Sequence, residues 1–252
     1  MNQRSSEDDF ILNHIRSQIY KKNRNFTALI MGRVGTGKSF SALALCQLLH
    51  KDFNVREHVF FFTKDILKGV YEEKFPAGTP IIFDEAGIDN SNRKSYMDKF
   101  NIAMSFLLQT WRDRNIILFV TVPEQLFLDK GIRRLFDMHI ETTNVNFSRE
   151  TVSTKWKTVK VNYQSGKAYF TNLRDENGAI LKIEIPKPDD EIIREYKLKK
   201  REFQNKLYKQ QIEKIGETPI DEQENLEKRE DKIKDIIELM KNQDFTKDKI
   251  IR

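Results

Sequence analysis

"IMGRVGTGKSF", residues 30–40, decides the reading of this chain. An apolar run gives way to three glycines within six positions, Gly32, Gly35 and Gly37, and then to Lys38 and Ser39. Glycine lifts the steric limits on backbone geometry, so such a loop can curl until several backbone N–H groups converge. Converging donors followed by a cation are built to hold an anion close to the main chain.

The flanks place this loop between two regular elements. "FTALIM" (26–31) reads as a buried strand, and Lys38 to His50 as a buried helix. Glycine, four residues, glycine, lysine and serine is the phosphate-binding spacing. The loop feeds a helix N-terminus, where the dipole and unpaired N–H groups favour negative charge. Gly32, Arg33, Val34, Gly35, Thr36, Gly37, Lys38, Ser39 and Phe40 are the candidate nucleotide contacts. Lys38 would neutralise the β- and γ-phosphates of ATP, and the Ser39 hydroxyl would bind Mg²⁺.

Composition sets the outer limits. The 252 residues suffice for one α/β domain with attachments. Charged residues make up 33%, and the net charge of +6 favours a polyanionic partner only mildly, since acids are also plentiful. The single cysteine, Cys46, excludes an internal disulfide and points to a reducing, cytoplasmic compartment. The start, "MNQRSSEDDF", does not read as a signal peptide. No apolar run approaches the roughly 20 residues of a membrane span.

Outward from the loop, apolar strands alternate with helices, the pattern of a mainly parallel sheet covered on both faces. Residues 8–22 form an amphipathic helix with Phe10, Ile11, Ile15 and Ile19 on one face. Further strands are expected at 58–62, 79–86, 115–122 and 138–144. A helix over 97–114 carries Phe100, Met104, Leu107, Leu108 and Trp111. After residue 145 the pattern changes to period-two alternation with Asn-Gly and Ser-Gly turns, an antiparallel β-meander. The expected organisation is a helical lead-in (1–25), an α/β core (26–145), the meander (146–187) and a charged helical tail with a flexible linker (188–252).

Two carboxylates, Asp84 and Glu85, end the apolar run "IIF". Loops after parallel strands open at the carboxyl edge of the sheet, beside the phosphate loop. There Asp84 would hold Mg²⁺, and Glu85 would orient and polarise an attacking water. A small-molecule kinase has no use for the water-activating acid. A GTPase switch would carry an Asn/Thr-Lys-x-Asp motif after the core strands, and none stands there.

In order, the phosphate loop, "IIFDEA", "WRDRN" and "IILFVTVPEQLFLDKGIRRLFD" resemble the HerA/FtsK superfamily of P-loop ATPases over residues 26–145. The zonula occludens toxin-like branch, with its phage-assembly and DNA-packaging members, is the nearest in pattern. The resemblance implies a homo-oligomeric motor, often a hexamer, that hydrolyses ATP with Mg²⁺ to move or package DNA. It gives Thr121 a γ-phosphate-sensing role and makes Arg112 and Arg114 candidate arginine fingers, with Arg133 and Arg134 behind them. Where the family has Thr-Gln this chain has Thr121-Val122, with Gln125 as a candidate stand-in. The membrane anchor of the toxin-like branch has no counterpart here. An ATP-driven protein assembly or extrusion factor and a nucleotide-dependent DNA-binding regulator are the alternatives.

The DNA partner has one candidate surface. Lys155, Lys157, Lys160, Lys167 and Lys182 decorate the meander, with Trp156, Tyr163 and Tyr169 nearby. Period-two alternation explains the same pattern as one apolar face and one solvated face. The tail offers a helix for a protein partner or for a solvated surface. The loop reading predicts that Lys38→Ala abolishes ATP binding with the fold intact, checked by calorimetric titration with ATP beside a circular-dichroism melt.

Overall fold

A computed structural model describes residues 6–84, 93–111, 114–124, 128–162 and 164–213. Glu85, Arg112, Gln125 and Tyr163 lie outside these residues, as does the side chain of Phe100. By compactness the chain divides into Met1–Phe203 and Gln204–Arg252. In the second unit residues 204–213 are described, and they are helical.

The first unit is an α/β fold on an eight-stranded sheet, β2-β3-β4-β1-β5-β6-β7, with β8 also paired to β6. β1 (Phe26–Met31), β2 (Val59–Phe60), β3 (Pro80–Phe83), β4 (Ile117–Val122) and β5 (Met138–Asn146) run parallel. β1, β3 and β4 are apolar at nearly every position because both faces are covered. One face packs under α4 (Thr63–Tyr71), α5 (Arg93–Thr110) and α6 (Lys130–Arg133). Ile66, Met104, Leu107 and Ile132 meet Leu29, Ile81, Phe83, Leu118 and Val120 there. α1 (Ser6–Arg16) and α2 (Lys38–Leu49) cover the other face, where Ile11, Leu12 and Leu45 close on Trp156, Ile183 and Ile185.

Two local expectations change. The strand expected at 58–62 shrinks to Val59–Phe60, because the one-turn helix α3 (Val55–His58) precedes it. Asn54 caps that turn by accepting from the Glu57 N–H at 2.9 Å. Phe10 was expected on the buried face of α1 but is 60% exposed, while Ile11, Leu12, Ile15 and Ile19 are buried. The apolar stripe runs along i, i+4, i+8 from Ile11, and Leu12 rather than Phe10 completes it.

The antiparallel extension is β6 (Thr151–Asn162), β7 (Lys167–Asn172) and β8 (Lys182–Pro186). β6 is long enough to carry both partners end to end on one edge. β7 pairs with 157–162 and β8 with 151–155, so the third strand returns to β6.

In the first unit a helix over residues 190–203, α7, follows the extension. Its approach is tied to α2, where Gln47 accepts from the Asp189 N–H at 3.1 Å. Further along, Lys199 Nζ donates to the carbonyls of Val55 and Arg56 at 3.0 and 2.6 Å, adding a second donor to the Val55 carbonyl that already accepts from the Val59 N–H at the end of α3. Burial depresses the Lys199 ammonium to about 8.

Trp156 is fully buried, its indole N–H donating to Thr154 Oγ1 at 2.8 Å. Trp156→Ala is expected to lower stability by about 3–5 kcal/mol, the usual cost of such a cavity, in urea unfolding.

Candidate functional site

The phosphate loop lies against the antiparallel hairpin as closely as backbone can. Gly37, the residue before α2, has φ +86°, and a Cβ there would stand 2.6 Å from Val152 Cγ2 on β6. A Cβ on Gly32 would collide with Thr142 Oγ1 on β5. Thr142 fastens the loop at both ends, donating to Met31 O at 3.2 Å and sharing a 2.7 Å hydrogen bond with Thr36 Oγ1. Lys38 Nζ bridges the loop from inside, donating to Gly32 O at 2.8 Å and Arg33 O at 2.9 Å. The glycines therefore answer two demands at once, the curl of the loop and the lack of room beside β5 and β6.

Asp84 directly follows β3, and β4 separates that strand from β1. The α2 start and the end of β4 converge on its carboxylate. Ser39 Oγ donates to Oδ1 at 2.8 Å, and Thr121 Oγ1 donates to the same oxygen at 2.7 Å. Asp84 is fully buried. A cavity of about 410 Å³ opens over this point, lined by Lys38, Ser39 and Thr121 and walled by Val34, Val145, Phe147 and Val152.

The donor set suits a hard cation held together with a nucleotide. Mg²⁺ is bound through one or two carboxylates with the rest of its shell from water and phosphate. Among the described residues no group of three or more His, Cys, Asp or Glu forms a self-sufficient metal cage. One carboxylate beside one hydroxyl at a phosphate loop fits Mg²⁺ arriving with its phosphates.

The other sequence candidates are scattered. Arg114 stands before β4, at the end of the sheet away from the phosphate loop, and pairs with Glu73 at 3.1 Å. Arg134 donates to Gly166 O at 2.8 Å. The five meander lysines divide by strand parity: Lys155 and Lys157 share a face with Lys182, while Lys160 and Lys167 take the other. Lys157 pairs with Glu141 at 3.3 Å. Trp156, being buried, offers no ring to a base, whereas Tyr169 is exposed.

The structure also adds residues that the sequence reading missed. Tyr196 and Lys200 of α7 line the same cavity. Their only sequence signal was an aromatic four positions before a lysine on a lysine- and glutamate-rich helix.

A glycine loop between β1 and α2, a carboxylate after β3 and an added strand between β1 and β3 define a P-loop NTPase fold. No protein-family model and no curated protein matches the chain. Among solved structures, the N-terminal domain of zonular occludens toxin from Neisseria meningitidis is similar at 18% identity and a TM-score of 0.35. That match covers 61% of this chain and 96% of the other. A KaiC-like protein from Pyrococcus horikoshii OT3 is similar at 12% identity and TM-score 0.33, covering 64% and 85%. The DnaC helicase loader is similar at 16% identity and TM-score 0.27, covering 53% and 78%.

Thr121→Val keeps the shape of the side chain but withdraws one donor from a buried carboxylate. It is expected to lower stability by about 1–3 kcal/mol in urea unfolding without nucleotide.

Proposed function

We propose that the chain binds ATP with Mg²⁺ at the 32–39 loop, hydrolyses its terminal phosphate, and works as a homo-oligomer that moves or packages DNA. The observation that carries this reading is the 2.8 Å hydrogen bond from Ser39 Oγ to Asp84 Oδ1. It joins the phosphate loop to the strand-end carboxylate in the pairing a nucleotide-bound Mg²⁺ needs.

Each residue then has a task. Loop N–H groups and the α2 N-terminus hold the phosphates. Lys38 exchanges the loop carbonyls for β- and γ-phosphate oxygens. Ser39 and Asp84 would hold Mg²⁺, whose charge offsets that of the phosphates. Glu85, the next residue in the chain, orients the attacking water and takes its proton. Thr121, already on Asp84, reads the γ-phosphate side. Val145, Phe147 and Val152 lie on the β5–β6 side of the loop and offer a nucleobase apolar contact.

Arg114 is remote from its own loop, which supports an arginine finger reaching a neighbouring subunit's site, with Arg112 as the alternative donor. The net charge of +6 favours a polyanion mildly, and Lys160, Lys167 and the exposed Tyr169, which share one face of the extension, support the DNA partner.

Glu85→Gln is expected to retain ATP binding while slowing hydrolysis about a hundredfold or more. Turnover at the wild-type rate would remove Glu85 from the chemistry. Mixing Arg112→Ala/Arg114→Ala protein with Lys38→Ala protein should restore partial activity, because one supplies sites and the other supplies fingers. Hydrolysis measured with and without duplex DNA, over a salt series, separates a DNA cargo from a protein cargo. Stimulation that fades with salt supports DNA; no stimulation at any salt overturns it.

A further inference from the structure

Asp84 Oδ1 is served by Ser39 and Thr121, and its other oxygen belongs to α7. The Tyr196 hydroxyl donates to Asp84 Oδ2 at 2.5 Å. Lys200 Nζ lies 3.8 Å from the same oxygen. The two residues stand four apart and so share one face of the helix. Both line the cavity that holds Lys38 and Ser39.

The surroundings fix this arrangement. The Tyr196 ring meets Phe40 and Phe61, each at a centroid distance of 6.4 Å, and Phe61 stacks on Phe203 at 4.5 Å. These ring contacts are ones that Tyr196→Phe would keep. Lys200 Nζ lies 5.6 Å from the centre of the Tyr196 ring. A fully buried carboxylate needs a counter-charge, and Lys200 supplies a positive one from within the chain.

We propose that Tyr196 and Lys200 form a clasp that competes with the divalent cation for Asp84, so that α7 sets the Mg²⁺ requirement of the nucleotide site. This rests on Asp84 being the metal-binding carboxylate of the proposed ATP site. An ammonium within 4 Å of a carboxylate oxygen repels a divalent ion approaching that oxygen, strongly so out of bulk water. A hydroxyl bonded to Oδ2 occupies a lone pair that a metal-bound water would take. Loading the cation therefore requires Lys200 to withdraw and the Tyr196 hydrogen bond to be given up. Both side chains sit on one helical turn, so one small movement of α7 releases both.

The test is calorimetric binding of ADP to the full chain over a Mg²⁺ series, with an EDTA arm, and needs no turnover. Lys200→Met keeps the apolar stem and removes the charge. It should lower the Mg²⁺ concentration for half-maximal tightening of ADP about fivefold to tenfold. Tyr196→Phe keeps the ring packing and should lower it about twofold to threefold. Lys200→Arg keeps the charge and should behave as wild type. Lys200→Met and Tyr196→Phe each withdraw a partner from a buried carboxylate and should lower the unfolding midpoint, so ADP binding is compared at a temperature where all three variants and the wild type are folded. A half-saturating Mg²⁺ concentration unchanged or raised in Lys200→Met, with Mg²⁺-dependent ADP binding in the wild type, overturns the clasp and leaves the nucleotide site standing. ADP binding that ignores Mg²⁺ in the wild type overturns the metal role of Asp84, and the clasp with it.

Discussion

One buried carboxylate organises this molecule. Asp84 has no solvent exposure, and a bare charge in such a place would cost several kcal/mol. It is tolerated because hydroxyls from three separate elements and one ammonium reach it. That requirement ties the α2 start, the end of β4 and the first turns of α7 to the end of β3. The strand order follows the same logic, since Thr121 reaches Asp84 only with β4 beside β3.

The phosphate loop is held from its other side by a contact of a different kind. Gly32 and Gly37 leave no room for a Cβ against Thr142 and Val152, so the loop rests on β5 and β6. The antiparallel extension is consequently part of the site's wall as well as an attachment to the sheet. Its inner face closes the core through Val152, Thr154 and Trp156, and its lysines fall on both sides. The loop is thus positioned between a polar anchor on the β3 side and an apolar one on the β6 side. A nucleotide lying along it would have its phosphates near charge and its base near hydrocarbon.

How much of this was legible in the sequence depends on the range of the interaction. Gly32 to Ser39 could be read because the curl, the cation and the helix start lie within eight residues and share one local purpose. β1 and β4 could be read from their apolar runs, which burial on both faces produces. β2 was overestimated because "HVFFF" has strand composition while the Asn54 cap diverts its start into a helical turn. The face of α1 was misjudged at Phe10 because several sets of apolar residues fit a helical stripe, and only the packing partner chooses among them.

The sequence by itself determined the glycine-rich loop between β1 and α2, the strand-end position of Asp84 and the alternation that makes a covered parallel sheet, because each depends on neighbours along the chain. Tertiary structure alone decided that Thr121, Tyr196 and Lys200 reach that carboxylate. Thr121 is 37 residues from Asp84 and Tyr196 is 112, and a hydrogen bond across such a separation leaves no periodic trace. Tyr196 and Lys200 belong to a helix whose composition is that of a solvated surface. Burial of a charge recruited them, and the burial of Asp84 exists only once the sheet, α2 and α7 have come together.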